Sequence, residues 1–273
     1  MQIISVVRDF NMYNRLVRDN PNWKGVVFTV FDNNKENITI PKRYNHFLDN
    51  YDYSKDDWFI FCHEDWEIKE DLKNCLCNLD KNHLYGPIGT VLNYKIFLPY
   101  PLKGQIENSH KDGSDCRLIG HNIKKISQVG TFDCQCLIVH SSLIKKKHLR
   151  FDENLTWDLY VEDFCIGARE QHNIPSYVLQ LKCQHYSFGN ITECFYTQYA
   201  YLQKKYAGAK NTYISSCSDI PIGKKIPFSY KILVIFSIIY YKIIRFFWQK
   251  KITKSGTFSI KICKIPVYRR KIK

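Results

Sequence analysis

The sequence predicts an α/β fold: a mainly parallel sheet flanked by helices, followed by a basic, amphipathic C-terminal extension. Three observations predict it. Short apolar runs alternate with polar, helix-like stretches from the first residue to about residue 190, the pattern of βαβ units. Two of those runs end abruptly in acids, Asp32 after "GVVFTVF" and Glu64 with Asp65 after "WFIFC". In parallel sheets ligands bind beyond the carboxyl ends of the strands. Charge is also segregated: fourteen of the 40 Lys and Arg follow Asp219 with no acid among them, which leaves 26 basic against 26 acidic groups in the first 219 residues.

Taken in order, Ile3–Val7 reads as the first strand and "YNRLVRDNP" as a short helix ending before Pro21. "GVVFTVFDNN" is the second strand, and "IPKRYNHFLDNY" a helix opening near Pro41. Trp58–Cys62 is a third, buried strand. "KEDLKNCLCNL" places Leu72, Leu76 and Leu79 on one helical face, and "LYGPIGT" is a strand and turn. Pro99–Lys125 has weak periodicity and is expected to be a long loop serving as lid or acceptor loop. "VGTFDCQCLIVHSSLI" returns to the sheet. At 273 residues, 45% hydrophobic and 15% aromatic, the chain can bury a real core.

The 11 cysteines include no CxxC pair, only Cys75/Cys77 and Cys134/Cys136. The opening "MQIISVV" reads as a strand and not as a secretory signal. Reduced thiols in a cytoplasmic protein are therefore expected, and the spacing does not suit a zinc site. Basicity confined to the tail disfavours a nucleic-acid-binding fold. It suggests a division into residues 1–219 and 220–273. Within the tail, Phe228–Trp248 reads as a greasy helix whose uncharged part, Ile232–Tyr241, is too short to span a bilayer. Lys231, Lys242, Arg245 and Gln249 form a narrow stripe on it. Such a helix suits the plane of an anionic membrane surface, or else packs on the domain.

The densest polar cluster is "WDLYVEDFCIGARE". Asp158 and Glu162, four apart, share a face if both are helical, and Asp163 lies about 100° round. Carboxylates in a first helical turn are also favoured by the helix dipole alone.

In this order, the strand "IISVV", "FDNN", "IPKRYNHFL", "WFIFCHEDWEI", "GPIGT", "VGTFDCQCLIV", "RFDENLTWDLYVEDFCIGARE" and "CQHYSFG" resemble the inverting family 2 type of GT-A (Rossmann-like) glycosyltransferases over about residues 1–190. The resemblance implies roles. His63, Glu64 and Asp65 stand where the family has its DxD motif, with His63 in place of the first Asp. Asp65 would bind Mn²⁺ or Mg²⁺, completed by His185, and Glu64 would meet ribose or a metal-bound water. Asp32, Tyr44 and Asn45 match residues near the nucleotide. Glu162 and Asp163 match the "ED" motif, with Asp163 as general base on the acceptor hydroxyl and Glu162 as acceptor anchor. Trp157 could stack on a sugar. The implied substrates are a nucleotide-sugar donor and a saccharide or lipid-linked acceptor at the cytoplasmic membrane face, in surface-polysaccharide synthesis. His63 leaves open a non-catalytic protein that binds nucleotide sugar or glycan on the same fold.

Overall fold

The structure, a computed structural model, describes residues 1–93, 102–124, 126–189 and 191–223, helical positions 232, 235, 236, 238–240 and 243, and strands at 248–252, 257–262 and 265–271. The chain opens with β1 (Gln2–Val7) and α1 (Phe10–Tyr13), whose Asp9 cap accepts the Met12 amide. The helix runs on as a π-type turn, Asn14–Arg18. Then come β2 (Val27–Asp32), α2 (Ile40–Asn50), β3 (Trp58–Cys62), β4 (Trp66–Ile68) and α3 (Leu72–Leu76). The middle of the chain forms β5 (Leu84–Gly86), β6 (Gly89–Thr90), β7 (Leu102–Asn108), β8 (Arg117–His121), β9 (Ser127–Val129), β10 (Thr131–Phe132) and β11 (Cys136–His140). It continues through α4 (Ser141–Lys147), α5 (Tyr160–His172), β12 (Ser176–Val178), β13 (Cys183–His185), α6 (Glu193–Lys205), β14 (Thr212–Ser215) and β15 (Ser218–Gly223).

The expected α/β layering is present. The main sheet has seven strands in the order β2-β1-β3-β11-β5-β12-β9. It is parallel across β2-β1-β3 and at β5-β12, while β11 enters antiparallel at the centre. Alternate residues supply two cores. Ile4, Phe59, Phe61, Leu137 and Val139 face the α2–α5–α6 side, and Ile3, Val7, Ile60, Cys62 and Ile138 face the other. Burial on both faces explains why these strands read as unbroken apolar runs. Truncating a residue such as Phe59, fully buried, costs about 3–5 kcal/mol.

A second sheet, β10-β6-β7-β13-β4 with β8 paired to β7, stands beside the first. It corrects the loop expected over Pro99–Lys125. Residues 94–101 and 125 lie outside the described residues, but β7 and β8 form an antiparallel hairpin from Gly104↔His121 to Asn108↔Arg117. Gly104 and Gly120 have φ of 82° and 86°. A Cβ at either would come within 2.2 Å of a carbonyl oxygen, of Pro87 and Gly104 respectively, so only glycine lets these strands approach.

The division expected between 219 and 220 falls inside β15, whose Ile222 is fully buried; the described core therefore continues to Gly223. Much of the helix expected over Phe228–Trp248 lies outside the described residues. Those described up to residue 243 are helical, and Trp248 opens β16 (Trp248–Ile252). With β17 (Thr257–Ile262) and β18 (Ile265–Lys271) it forms a three-stranded antiparallel sheet. No helix among the described residues is long and apolar enough to cross a membrane.

Candidate metal centre and cleft

The centre forms where the two sheets meet. β3 ends at Cys62, and the chain turns over His63, whose amide donates to the Gln135 carbonyl (3.0 Å), while the Trp66 amide returns to the His63 carbonyl (3.3 Å). β4 then pairs antiparallel with β13, setting His185 opposite Trp66. The Tyr186 amide donates to the Asp65 carbonyl at 2.9 Å. Strand pairing thus brings His185 beside Asp65 although 120 residues of chain separate them.

His185 Nε2 lies 3.3 Å and His63 Nδ1 3.8 Å from Asp65 Oδ1. One ligand atom from each of the three residues falls within 4.8 Å of the others. Burial opposes ionisation of Asp65, but the two imidazoles hold its pKa well below the ordinary carboxylate range. Burial pushes His63 down despite Asp65, and so favours its neutral, ligating form. Burial opposes a charge on His185 as well; there the Asp65 carboxylate prevails and its pKa is raised.

These residues fit a divalent ion. Tyr160 Oη donates to the Cys134 carbonyl (3.0 Å), so at the 2.7 Å contact with His63 Nε2 the ring nitrogen is the donor. That tautomer leaves the Nδ1 lone pair toward Asp65. His185 Nε2 is buried without an aligned hydrogen bond, as a ligand atom would be. Two imidazoles and a carboxylate suit Mn²⁺ better than Mg²⁺, which prefers oxygen throughout.

The triad opens into a cavity of about 420 Å³, lined on its other walls by Asp133, Trp157, Asp158, Glu162 and Phe195. Glu162 therefore reaches the cleft. It is 2% exposed, accepts from Ser215 Oγ (2.8 Å) and Cys134 Sγ (3.0 Å), and burial pushes its pKa up to about 7. Asp163 does not reach it. One residue further along α5, it turns to the far side, where Lys205 Nζ (2.7 Å) and Tyr206 Oη (2.8 Å) hold it and a separate cavity of about 240 Å³ adjoins it.

Other expected site residues are also placed elsewhere. Glu64 points away from the triad and accepts the amides of Arg8 and Asp9 (2.5 and 2.9 Å), tying the end of β1 to the turn after β3. Tyr44 is 1% exposed and packs on Phe61 and Phe151. Asn45 is buried and clamps the Phe151 backbone through both its amide atoms (2.9 Å each). Both side chains lie in the core. Asp32 stays exposed at the carboxyl end of β2 and accepts the Asn34 amide (2.9 Å). Trp157 carries the Arg8 guanidinium over its ring at 4.4 Å.

Sequence reasoning missed Asp133, which accepts from Ser216 Oγ (2.6 Å), and Tyr160 as a support for His63. It also placed Asp158 on a helix, whereas α5 begins only at Tyr160 after Leu159 in a left-handed conformation (φ 61°). The signal for Asp133 was available: "FDCQC" directly precedes the central strand. A wider depression of about 650 Å³, bordered by Lys147, Arg169 and Glu170, lies at the far end of α5; Glu170 there is consumed by Tyr213, Lys210 and Asn211. Every cysteine among the described residues is a free thiol.

No family model and no curated protein matches the chain. Among solved structures it is similar to A197 from STIV (14% identity, 68% of this chain and 85% of that one, TM-score 0.36). It is also similar to S. aureus TarS 1–349 in complex with UDP-GlcNAc (14%, 77% and 67%, TM-score 0.45). A third is GalNAc-T7 with UDP, GalNAc and Mn²⁺ (8%, 94% and 61%, TM-score 0.47). At these identities and scores the reading of the site rests on this chain's own geometry.

Proposed function

We propose that the chain is a metal-dependent GT-A glycosyltransferase. It moves a sugar from a nucleotide-sugar donor to a saccharide or lipid-linked acceptor, with inversion, in cell-surface polysaccharide synthesis. The observation that carries this is the His63–Asp65–His185 cluster, set beyond the carboxyl end of β3 and opening into a cleft with buried carboxylates and an indole on its other walls. His63, Asp65 and His185 would hold a Mn²⁺ or Mg²⁺ ion, which would supply positive charge to a departing diphosphate. The residues around it orient the donor, keep bulk water from the anomeric carbon and hold the acceptor. Glu162 is the "ED" carboxylate that faces the acceptor side. Asp32, at the carboxyl end of β2, is the candidate for the nucleoside. As a nitrogen ligand beside Asp65 and His185, His63 supports the catalytic reading over a non-catalytic scaffold.

The catalytic unit in this reading is the N-terminal part, about residues 1–219 with the rest of β15. The basic extension holds it at the inner face of the membrane, in the cytoplasm. Its described helical residues support this, since Ile235, Phe236, Ile239 and Ile243 are 45–63% exposed and the fourteen cations of the tail are unopposed by acids.

The test is a panel of UDP-, GDP- and dTDP-linked sugars, with and without Mn²⁺, read by thermal shift and by release of nucleoside diphosphate. At least one donor should stabilise the chain in a Mn²⁺-dependent way and be turned over, and Asp65→Ala should lose both effects. Indifference of the wild type to every donor and to Mn²⁺ removes the proposal.

A further inference from the structure

Four carboxylates line the cleft: Asp65, Asp133, Asp158 and Glu162. Asp65 belongs to the metal triad. Asp133 is engaged by Ser216 Oγ (2.6 Å) and the Gln135 amide (3.2 Å). Glu162 accepts at both oxygens, from Ser215 at Oε1 and Cys134 at Oε2. Only Asp158 receives no hydrogen bond or ion pair among the described residues. It is half-buried, and burial alone raises its pKa.

Its position is built. Leu159, 1% exposed, holds a left-handed backbone at φ 61° and ψ 5°, a conformation that costs a side-chain-bearing residue about 1–2 kcal/mol. Such strain persists where the surroundings impose it, often at functional sites. Just upstream, the Thr156 amide is anchored to Gln198 Oε1 on α6 (3.0 Å). The kink between these points breaks the helix before Tyr160 and presents Trp157 and Asp158 to the cleft. A continuous helix would have put Asp158 under Glu162.

We propose that Asp158 is the general base of the transfer, an inference that rests on the glycosyltransferase reading. The acceptor hydroxyl gives its proton to a carboxylate oxygen of Asp158, and its oxygen forms the new bond to the anomeric carbon. The bond from that carbon to the diphosphate oxygen breaks, and its electron pair leaves on the nucleoside diphosphate. An accepting carboxylate must reach the hydroxyl with a free lone pair. Asp158 offers one, while Asp163 is turned away and neutralised by Lys205.

The experiment compares wild type, Asp158→Asn and Asp163→Asn, with Mn²⁺ and the donor from the nucleotide-sugar panel that the wild type turns over. Mn²⁺–UDP affinity is measured by calorimetry, and every variant is assayed below its melting temperature. Asp158→Asn should lower kcat by roughly 10²–10⁴-fold and change Mn²⁺–UDP affinity less than twofold. Azide, a nucleophile that needs no deprotonation, should restore turnover and give a glycosyl azide of inverted anomeric configuration. Asp163→Asn should keep kcat within about tenfold.

Asp158→Asn turnover within threefold of wild type overturns the assignment and leaves the glycosyltransferase reading standing. Loss of Mn²⁺–UDP affinity together with turnover, or failure of azide to rescue, also overturns it, because either result marks a structural role. A wild type inert toward every donor overturns the reading itself and the assignment with it.

Discussion

The ring of His63 donates from Nε2 to the hydroxyl of Tyr160 at 2.7 Å, and that hydroxyl in turn donates to the Cys134 carbonyl at 3.0 Å. A residue at the start of α5 thereby decides which imidazole nitrogen can meet a metal. Partners of this kind fix ring orientation, and their removal typically lowers metal affinity 10–100-fold. Tyr160→Phe should therefore weaken Mn²⁺ binding by about that factor, read by calorimetry or by the free-Mn²⁺ signal in electron paramagnetic resonance. The ring keeps its packing on Tyr44 and Phe151, so stability should fall by only about 1 kcal/mol. Unaltered Mn²⁺ affinity would show that the tyrosine does not support a ligand.

Asp65 is the acid of the triad and lies close to both rings. A ligand that binds only the folded state stabilises it by about 2.7 kcal/mol at a hundred times its Kd. Mn²⁺ at saturating concentration should accordingly raise the wild-type melting temperature, and Asp65→Ala should abolish the rise. Mg²⁺ should give a smaller shift than Mn²⁺, because two of the three ligand atoms are nitrogen. A shift that survives Asp65→Ala would mean that the ion binds elsewhere.

The layering was legible because it follows from patterns that sequence carries directly, and Asp65 with His185 came from the family resemblance, whereas His63 as a third nitrogen beside them emerges only from the fold. Apolar runs buried on two faces announce β1, β3 and β11, and the ends of parallel strands announce where ligands sit. What stayed hidden depends on a single backbone angle or a single helical step. Leu159 is no ordinary helix cap, so nothing in "TWDLYVED" shows that α5 starts at Tyr160, and Asp158 reaches the cleft beside Glu162 from the kink, not from a shared helical turn. Adjacent acids on a helix point about 100° apart, which sends Glu162 to the cleft and Asp163 to Lys205. Tyr44 and Asn45 match a motif by position, but their environment, set by Phe61 and Phe151 from distant segments, makes them core. The β7–β8 hairpin is hard to read from sequence even though "HKDGSD" is a turn signal, because its strands carry charges and an interior glycine each, Gly104 and Gly120.

Glu162 gives the chain a pH signature. Burial pushes its pKa up to about 7, against about 4.3 in an unfolded chain. Between those values the folded state holds a proton that the unfolded state has lost, so stability falls as pH rises through this window and levels off above it. The difference corresponds to about 3–4 kcal/mol. Glu162→Gln, which has no proton to lose, should remove this fall. Relative to wild type it should be more stable at pH 8 than at pH 5 by about 2–3 kcal/mol, the part of that difference lying above pH 5, in urea denaturation at the two pH values. Parallel pH dependence in both proteins would contradict the buried carboxyl.

Asp163 predicts a stability effect. Its carboxylate meets Lys205 Nζ at 2.7 Å and Tyr206 Oη at 2.8 Å, and Lys205 also reaches Asp152 at 2.6 Å. Asp163 is 3% exposed, and the network joins α5 to α6. Removing one partner of a buried pair costs about 3–5 kcal/mol. With Lys205 partly exposed and Asp152 still present, Asp163→Asn should cost about 2–3 kcal/mol in chemical denaturation. Lys205→Met should show a similar loss, and the double variant less than the sum. Fully additive losses would show that the two side chains do not depend on each other.

The C-terminal extension makes a prediction independent of catalysis. Ile235, Phe236, Ile239 and Ile243 recur at helical spacing and stand 45–63% exposed, while Ile238 packs against the core of the domain. One side of this segment thus faces the protein and another offers an apolar stripe outward, with the cations of residues 224–273 in the same extension. Apolar area inserted at an interface and cations near anionic lipid add, the latter at about 1 kcal/mol per charge. The full chain should sediment with phosphatidylglycerol-containing vesicles and not with pure phosphatidylcholine vesicles, and binding should weaken as salt rises. Ile235→Glu with Phe236→Glu should lower vesicle affinity at least tenfold without lowering the melting temperature, since neither side chain is buried. Equal binding to both vesicle types, or no effect of the double substitution, would assign the stripe to something other than a lipid surface.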